Sequence, residues 1–140
     1  MTVRDFRVRP LEVLVVDDDA TFGESLALFL SDDERISVCE IACDLAAALD
    51  SARDRHFDLA LIDVRLRAES GFRVVEALRN EHPELATLMM SGLDASEVET
   101  QARACGAQGV FQKTDLARLG QEAVLDAYLA GPHCPDRQAV

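Results

Sequence analysis

With 140 residues, 49% apolar and 29% charged, the chain is bounded to one ordinary globular domain, long enough for a proper core but short for an enzyme with a second, substrate-covering domain. Its formal net charge of −12 gives an average field that repels phosphates, which argues against direct binding of nucleic acid. No apolar run approaches the roughly 20 residues needed to cross a bilayer, and MTVRDFRVRP lacks the apolar stretch of a signal peptide, so a cytoplasmic, membrane-free protein is expected.

Residues 1–10 read as an N-terminal extension. Leu11–Val16 is an apolar run suited to a strand buried on both faces. Thr21–Leu30 then places Phe22, Leu26, Phe29 and Leu30 at helical spacing, and Arg35–Ile41 reads as a shorter strand. Asp44 is suited to cap a helix with Leu45, Ala48, Leu49 and Ala52 on one face. Phe57–Ile62, FDLALI, is the next buried strand and ends on Asp63. Gly71–Glu81 carries Phe72, Val75 and Leu78 on a helical face, and His82-Pro83 stops it. Leu85–Met90 is a fourth strand, ending at Ser91-Gly92. Asp94–Cys105 is a weakly apolar helix with Asp94 or Ser96 as its cap and Gly106 closing it. Val110–Gln112 is a short strand before Lys113. Asp115 is expected to cap a last helix, Leu116–Ala130, with Leu116, Leu119, Ala123 and Ala127 inward. Gly131-Pro132 ends that helix, and residues 132–140 read as a tail or the start of a linker.

Five β-α units with short connections predict an α/β fold, a parallel sheet with helices on both faces and right-handed crossovers, over residues 11–131. The four cysteines, Cys39, Cys43, Cys105 and Cys134, form no CxxC pair and have no histidine at zinc-site spacing, so reduced, mostly packing thiols are expected.

Ligands of open parallel sheets bind beyond the carboxyl ends of the strands. Those ends carry Asp17-Asp18-Asp19, then Asp63, Ser91 and Lys113. Any one of these is unremarkable, since aspartates form turns and caps, and Asp19 suits a helix cap. Their convergence on one edge points to phosphoryl chemistry. Hard carboxylate oxygens suit Mg²⁺, a carboxylate can attack phosphorus to give an acyl phosphate, and a lysine and a hydroxyl can hold phosphoryl oxygens.

From Leu11 to Ala130, through VLVVDDD, LALIDVRLRAESG, LMMSG and GAQGVFQK, the chain resembles the receiver domain of two-component response regulators. The resemblance implies a flavodoxin-like (βα)5 fold, doubly wound, with strand order 2-1-3-4-5. It implies a phosphoacceptor at Asp63, a hydroxyl at Ser91 and a lysine at Lys113. Mg²⁺ would be held by Asp17, Asp18, Asp63 and the backbone carbonyl of Arg65. The phosphoryl donor would be a histidine kinase or phosphotransfer protein. The fourth helix, fifth strand and fifth helix would offer a surface to a homodimer or an output domain, and the only chemistry would be self-catalysed phosphotransfer and autodephosphorylation. Three positions depart from the family: Arg67 and Thr114 stand where prolines are common, and Val110 where an aromatic often reports the switch. Lys113-Thr114 and the helix after it resemble receivers joined to helix-turn-helix domains, so a stand-alone receiver and a piece of a longer regulator are both open.

VLVVDDDAT also matches the first motif, DxDxT, of haloacid-dehalogenase-like phosphatases, with Asp17 as nucleophile and Asp19 as general acid/base. That reading lacks the later acidic motif after Lys113 and leaves Asp63 without a role. A degenerate receiver acting as a non-phosphorylated scaffold is the other alternative, and the complete residue set argues against it.

Overall fold

Alternate residues of each inner strand point to opposite faces, and in this chain both faces are apolar. Residues 5–92 and 94–131 are described by the computed structural model of the chain, so Cys134 and the predicted tail lie outside the described residues. The elements run β1 (Leu11–Val16), α1 (Ala20–Ser31), β2 (Ile36–Ala42), α2 (Leu45–Asp54), β3 (Leu59–Asp63), α3 (Gly71–Glu81), β4 (Ala86–Ser91), α4 (Ala95–Cys105), β5 (Val110–Gln112) and α5 (Lys113–Ala130). The five strands form one parallel sheet in the order β2-β1-β3-β4-β5, the expected doubly wound α/β topology.

Two cores follow from the alternation. Leu11, Val13 and Val15 of β1, Leu59 and Leu61 of β3, and Leu88 and Met90 of β4 pack with Leu26 and Leu30 of α1 and Leu116, Val124 and Leu125 of α5. Leu14, Val16, Ala60, Ile62 and Met89 face the other way, onto Ala48 of α2, Val74, Val75 and Leu78 of α3 and Ala102 of α4. Phe111 joins the first core and Val110 the second, as their neighbouring positions on a strand require. Truncating a fully buried Leu61 to alanine would cost about 2–5 kcal/mol. Ala102 is the one buried residue of α4, so this helix has the weak apolar face that its sequence suggested.

The helix caps bear out three expectations. Asp19 accepts a hydrogen bond from the Phe22 N–H, Asp44 from the Ala47 N–H, and Asp94 from the Ser96 N–H. The last helix differs from its prediction. It starts at Lys113, and Asp115 lies in its first turn, where the carboxylate pairs with Arg118. Gly120 breaks it with φ 81° and ψ −173°, a conformation glycine adopts without a Cβ penalty. The break shifts the helical phase. Leu119, just before the break, is 46% exposed, and Val124, Leu125 and Tyr128 after it fill the core. Tyr128 meets Phe6 edge-on at 6.2 Å, so the segment read as an extension contributes a core side chain. Cys39 and Cys105 are half-buried and Cys43 is exposed, and these three are free thiols. No helix among the described residues is long and apolar enough to cross a membrane.

Candidate functional site

Register brings the strand ends together. Val16 of β1 pairs with Ile62 of β3, so the next residues, Asp17 and Asp63, stand side by side. Asp63 pairs with Met90, which puts Ser91 one step further along β4, and Ser91 pairs with Gln112, directly before Lys113. A staircase of parallel pairings thus delivers two carboxylates, a hydroxyl and an ammonium to one edge. Asp17, Asp63 and Ser91 are all buried there.

Lys113 joins the two carboxylates. Its Nζ donates to Asp17 Oδ2 at 2.8 Å and to Asp63 Oδ2 at 3.0 Å, and sits 4.2 Å from the centroid of the Phe22 ring. The other oxygens take nearby backbone donors. Asp17 Oδ1 accepts from the Asp19 N–H at 2.8 Å, and Asp63 Oδ1 from the Arg65 N–H at 3.2 Å.

One ammonium between two buried carboxylates leaves the site short of positive charge, and the ionisation of its groups reflects this. Burial pushes the Asp63 carboxyl above the ordinary aspartate range; the Lys113 hydrogen bond opposes that, and the negative charge of Asp17 adds to it. Burial pulls the Lys113 ammonium down, but its hydrogen bonds to Asp17 and Asp63 and their charges outweigh this, so its pKa is raised.

Asp18 points elsewhere. Its Oδ2 accepts from the Arg67 backbone N–H at 2.6 Å, and the Arg67 Nε lies 3.8 Å from the same oxygen. Arg67 belongs to the β3–α3 loop, which Arg65 and Ser70 close with an antiparallel bridge. Glu69 of this loop reaches across to accept from the Leu45 N–H, the first residue of α2, at 2.6 Å. The loop ends at Gly71, where a Cβ would collide with the Asp63 carbonyl oxygen, so this position has to be glycine for α3 to pack so close to β3.

One ligand atom from each of Asp17, Asp18 and Asp63 lies within 4.8 Å of the others. Three carboxylates make a hard, all-oxygen donor set, which fits Mg²⁺ or a similar cation better than a soft-ligand metal. The residues present therefore fit the expected cation.

Of the residues singled out in the sequence, Asp17, Asp18, Asp63, Ser91 and Lys113 meet at this edge, and Arg65 flanks it. Asp19 is the helix cap, accepting from Phe22 at 3.1 Å. The Phe22 ring under Lys113, the Arg67 amide and Glu69 were not foreseen. Phe22 reads as a core residue from its helical spacing, and no side-chain pattern signals a backbone donor such as Arg67.

Comparison with known proteins agrees with this geometry. The family model described as "Response regulator receiver domain" matches residues 13–123. Over 120 residues the chain is 34% identical to a protein-glutamate methylesterase/protein-glutamine glutaminase of Anaeromyxobacter dehalogenans, covering 84% of this chain and 32% of that protein. It is 32% identical over 116 residues to the probable transcriptional regulatory protein NarL of Mycobacterium tuberculosis, covering 83% of this chain and 54% of NarL. The chain thus spans well under two thirds of either relative. Among solved structures, the signal receiver domain of NarL from Mycobacterium tuberculosis superposes with a TM-score of 0.78 at 30% identity, covering 87% of this chain and 98% of that one. The receiver domain of NtrX from Brucella abortus gives 0.73 at 28% identity, covering 84% and 98%. On its sequence, its strand order and its acidic edge, the chain belongs to the response regulator receiver domain family.

Proposed function

We propose that the chain is a phosphoacceptor switch, phosphorylated on Asp63 by the phosphohistidine of a partner histidine kinase or phosphotransfer protein. One observation carries the reading: Lys113 bridges Asp17 and Asp63 at 2.8 and 3.0 Å on a buried edge that has three carboxylates and one ammonium. An Asp63 carboxylate oxygen attacks phosphorus. The P–N bond to the imidazole breaks, its electron pair stays on the ring nitrogen, and an acyl phosphate remains. Asp17, Asp18, Asp63 and the Arg65 carbonyl would hold Mg²⁺, which when bound neutralises the carboxylates and the phosphoryl oxygens. Lys113 then pairs with a phosphoryl oxygen and Ser91 donates its hydroxyl to another. Hydrolysis of the acyl phosphate resets the domain.

The new charge at Asp63 is felt through Lys113, the first residue of α5, and through Ser91, which leads into α4. The α4–β5–α5 face is therefore the surface we assign to a second copy or to an output domain. The relatives are longer proteins, one a methylesterase and one a transcriptional regulator, so the output would lie in another domain. The residue composition and the absence of a membrane-spanning helix among the described residues suit a cytoplasmic place for this exchange. The phosphatase alternative has less support, because the Asp19 carboxylate is occupied as a helix cap.

The test is incubation with Mg²⁺ and acetyl phosphate, read by intact mass. One phosphate is expected on the wild type and none on Asp63→Asn. Label that persists in Asp63→Asn and vanishes in Asp17→Asn would overturn the reading.

A further inference from the structure

Two of the three carboxylates at the acidic edge accept from backbone N–H groups two residues on, the ordinary local turn. Asp18 differs. Its donor, the Arg67 N–H, is 49 residues away in sequence and only 2.6 Å away in space. That is shorter than the usual N–H···O range of about 2.7–3.2 Å, so the contact is close. The bond ties the end of β1 to the middle of the β3–α3 loop. The Arg67 guanidinium approaches the same oxygen at 3.8 Å but is 90% exposed, so solvent screening leaves the backbone donor as the main contact.

We infer that Arg67 competes with the divalent cation for Asp18: its amide and guanidinium hold the carboxylate on the loop, and ion binding exchanges that hold for coordination and frees the loop's centre. The inference rests on the cation role proposed above for Asp17, Asp18 and Asp63. A small divalent ion demands near-ideal geometry and the full charge of its carboxylates. An oxygen that already shares its charge with an N–H and a guanidinium is a poorer ligand until it lets them go.

The rest of the loop stays fixed during the exchange. The Arg65–Ser70 bridge, the Glu69 bond to the α2 N-terminus at 2.6 Å and the Gly71 N–H bond to the Val64 carbonyl at 2.8 Å involve neither Asp18 nor Arg67. Movement is thus confined to residues 66–68. These line a cleft of about 440 Å³ that also has Phe72 of α3 and Val98 of α4 in its wall. Release of Arg67 therefore changes the surface beside α4 before any phosphoryl group arrives.

The test is titration of ¹⁵N-labelled protein with Mg²⁺ alone, without a phosphodonor. In the wild type the Arg67 amide proton begins downfield and protected from exchange, and both signatures are lost at Mg²⁺ saturation. Arg67→Ala keeps the N–H and loses the charge, so Mg²⁺ binds about twofold more tightly. Arg67→Pro loses both, and the gain rises to about tenfold. A folded variant that binds Mg²⁺ no more tightly than wild type overturns the inference. So does a wild-type Arg67 amide that keeps its shift and protection at saturation, a readout that needs no variant to fold. Equal affinity in wild type and both variants, with binding lost in Asp18→Asn, rejects the competition and leaves the cation site standing. No Mg²⁺ binding by any of them rejects both.

Discussion

At the amino end of the sheet Glu12, His56 and Asp58 bring three ligand atoms within 4.8 Å, the same spread as Asp17, Asp18 and Asp63 at the carboxyl end. By residue type both look like cation sites. At the amino end, Asp58 Oδ2 accepts the Glu12 N–H of β1 at 2.9 Å and Oδ1 meets His56 Nε2 at 3.3 Å, while Glu12 lies 3.6 Å from Arg55. Two carboxylates there have a guanidinium and an imidazole beside them, and the buried one is spent on tying β3 to β1. At the carboxyl end three carboxylates share the Lys113 ammonium and an exposed arginine. Burial, and what each carboxylate is already bonded to, distinguish the two clusters, which a count of acidic residues would not.

The largest effect is expected from removing the central ammonium. Lys113→Met leaves Asp17 and Asp63 buried side by side without their cation, and should cost about 3 kcal/mol in urea unfolding at pH 7. Arg55→Met at the other end should change stability by less than about 0.5 kcal/mol, because its ion pair is long and exposed. Equal losses would mean that the two clusters are equivalent.

A smaller effect is expected at the brace. Asp58→Asn keeps the shape but weakens the acceptor for the Glu12 N–H, and should cost about 1 kcal/mol in the same assay. Phosphate uptake from acetyl phosphate should stay at the wild-type level in this variant, and a loss of uptake would move the chemistry to the wrong end of the sheet.

The most subtle difference lies in the pH dependence. The Asp63 carboxyl is raised above its unfolded value of 3.8. Its contribution is thus fully present below that pH and is lost as pH rises through the folded pKa. In Asp63→Asn this loss is absent, so the stability of the variant relative to wild type should increase as pH climbs from 3.8 into the neutral range, read from denaturation midpoints at stepped pH. A wild type that gained stability over the variant in that window would mean that Lys113 outweighs burial at Asp63.

Much of this was legible in the residues. The apolar runs mark β1, β3 and β4, because a strand buried on both faces has to be apolar throughout, and Asp63 stands out as the acid that ends such a run. The caps at Asp19, Asp44 and Asp94 follow from the same local chemistry. Helix 5 was less legible: nothing in ARLGQEAV says that Gly120 takes a positive φ and breaks the helix, so that Val124 and Leu125 are the buried residues after it. The hold of Arg67 on Asp18 was invisible for a different reason. It depends on a backbone donor and on a chain closure across 49 residues, and side-chain patterns report neither.

The proposed role of Asp63 as phosphoacceptor is tested by locating the phosphoryl group itself. After incubation with Mg²⁺ and acetyl phosphate, borohydride reduction converts an aspartyl phosphate to homoserine, which peptide mass spectrometry places in the sequence. Homoserine is expected at position 63 alone. Homoserine at position 17 or 18, with Asp63 intact, would contradict it.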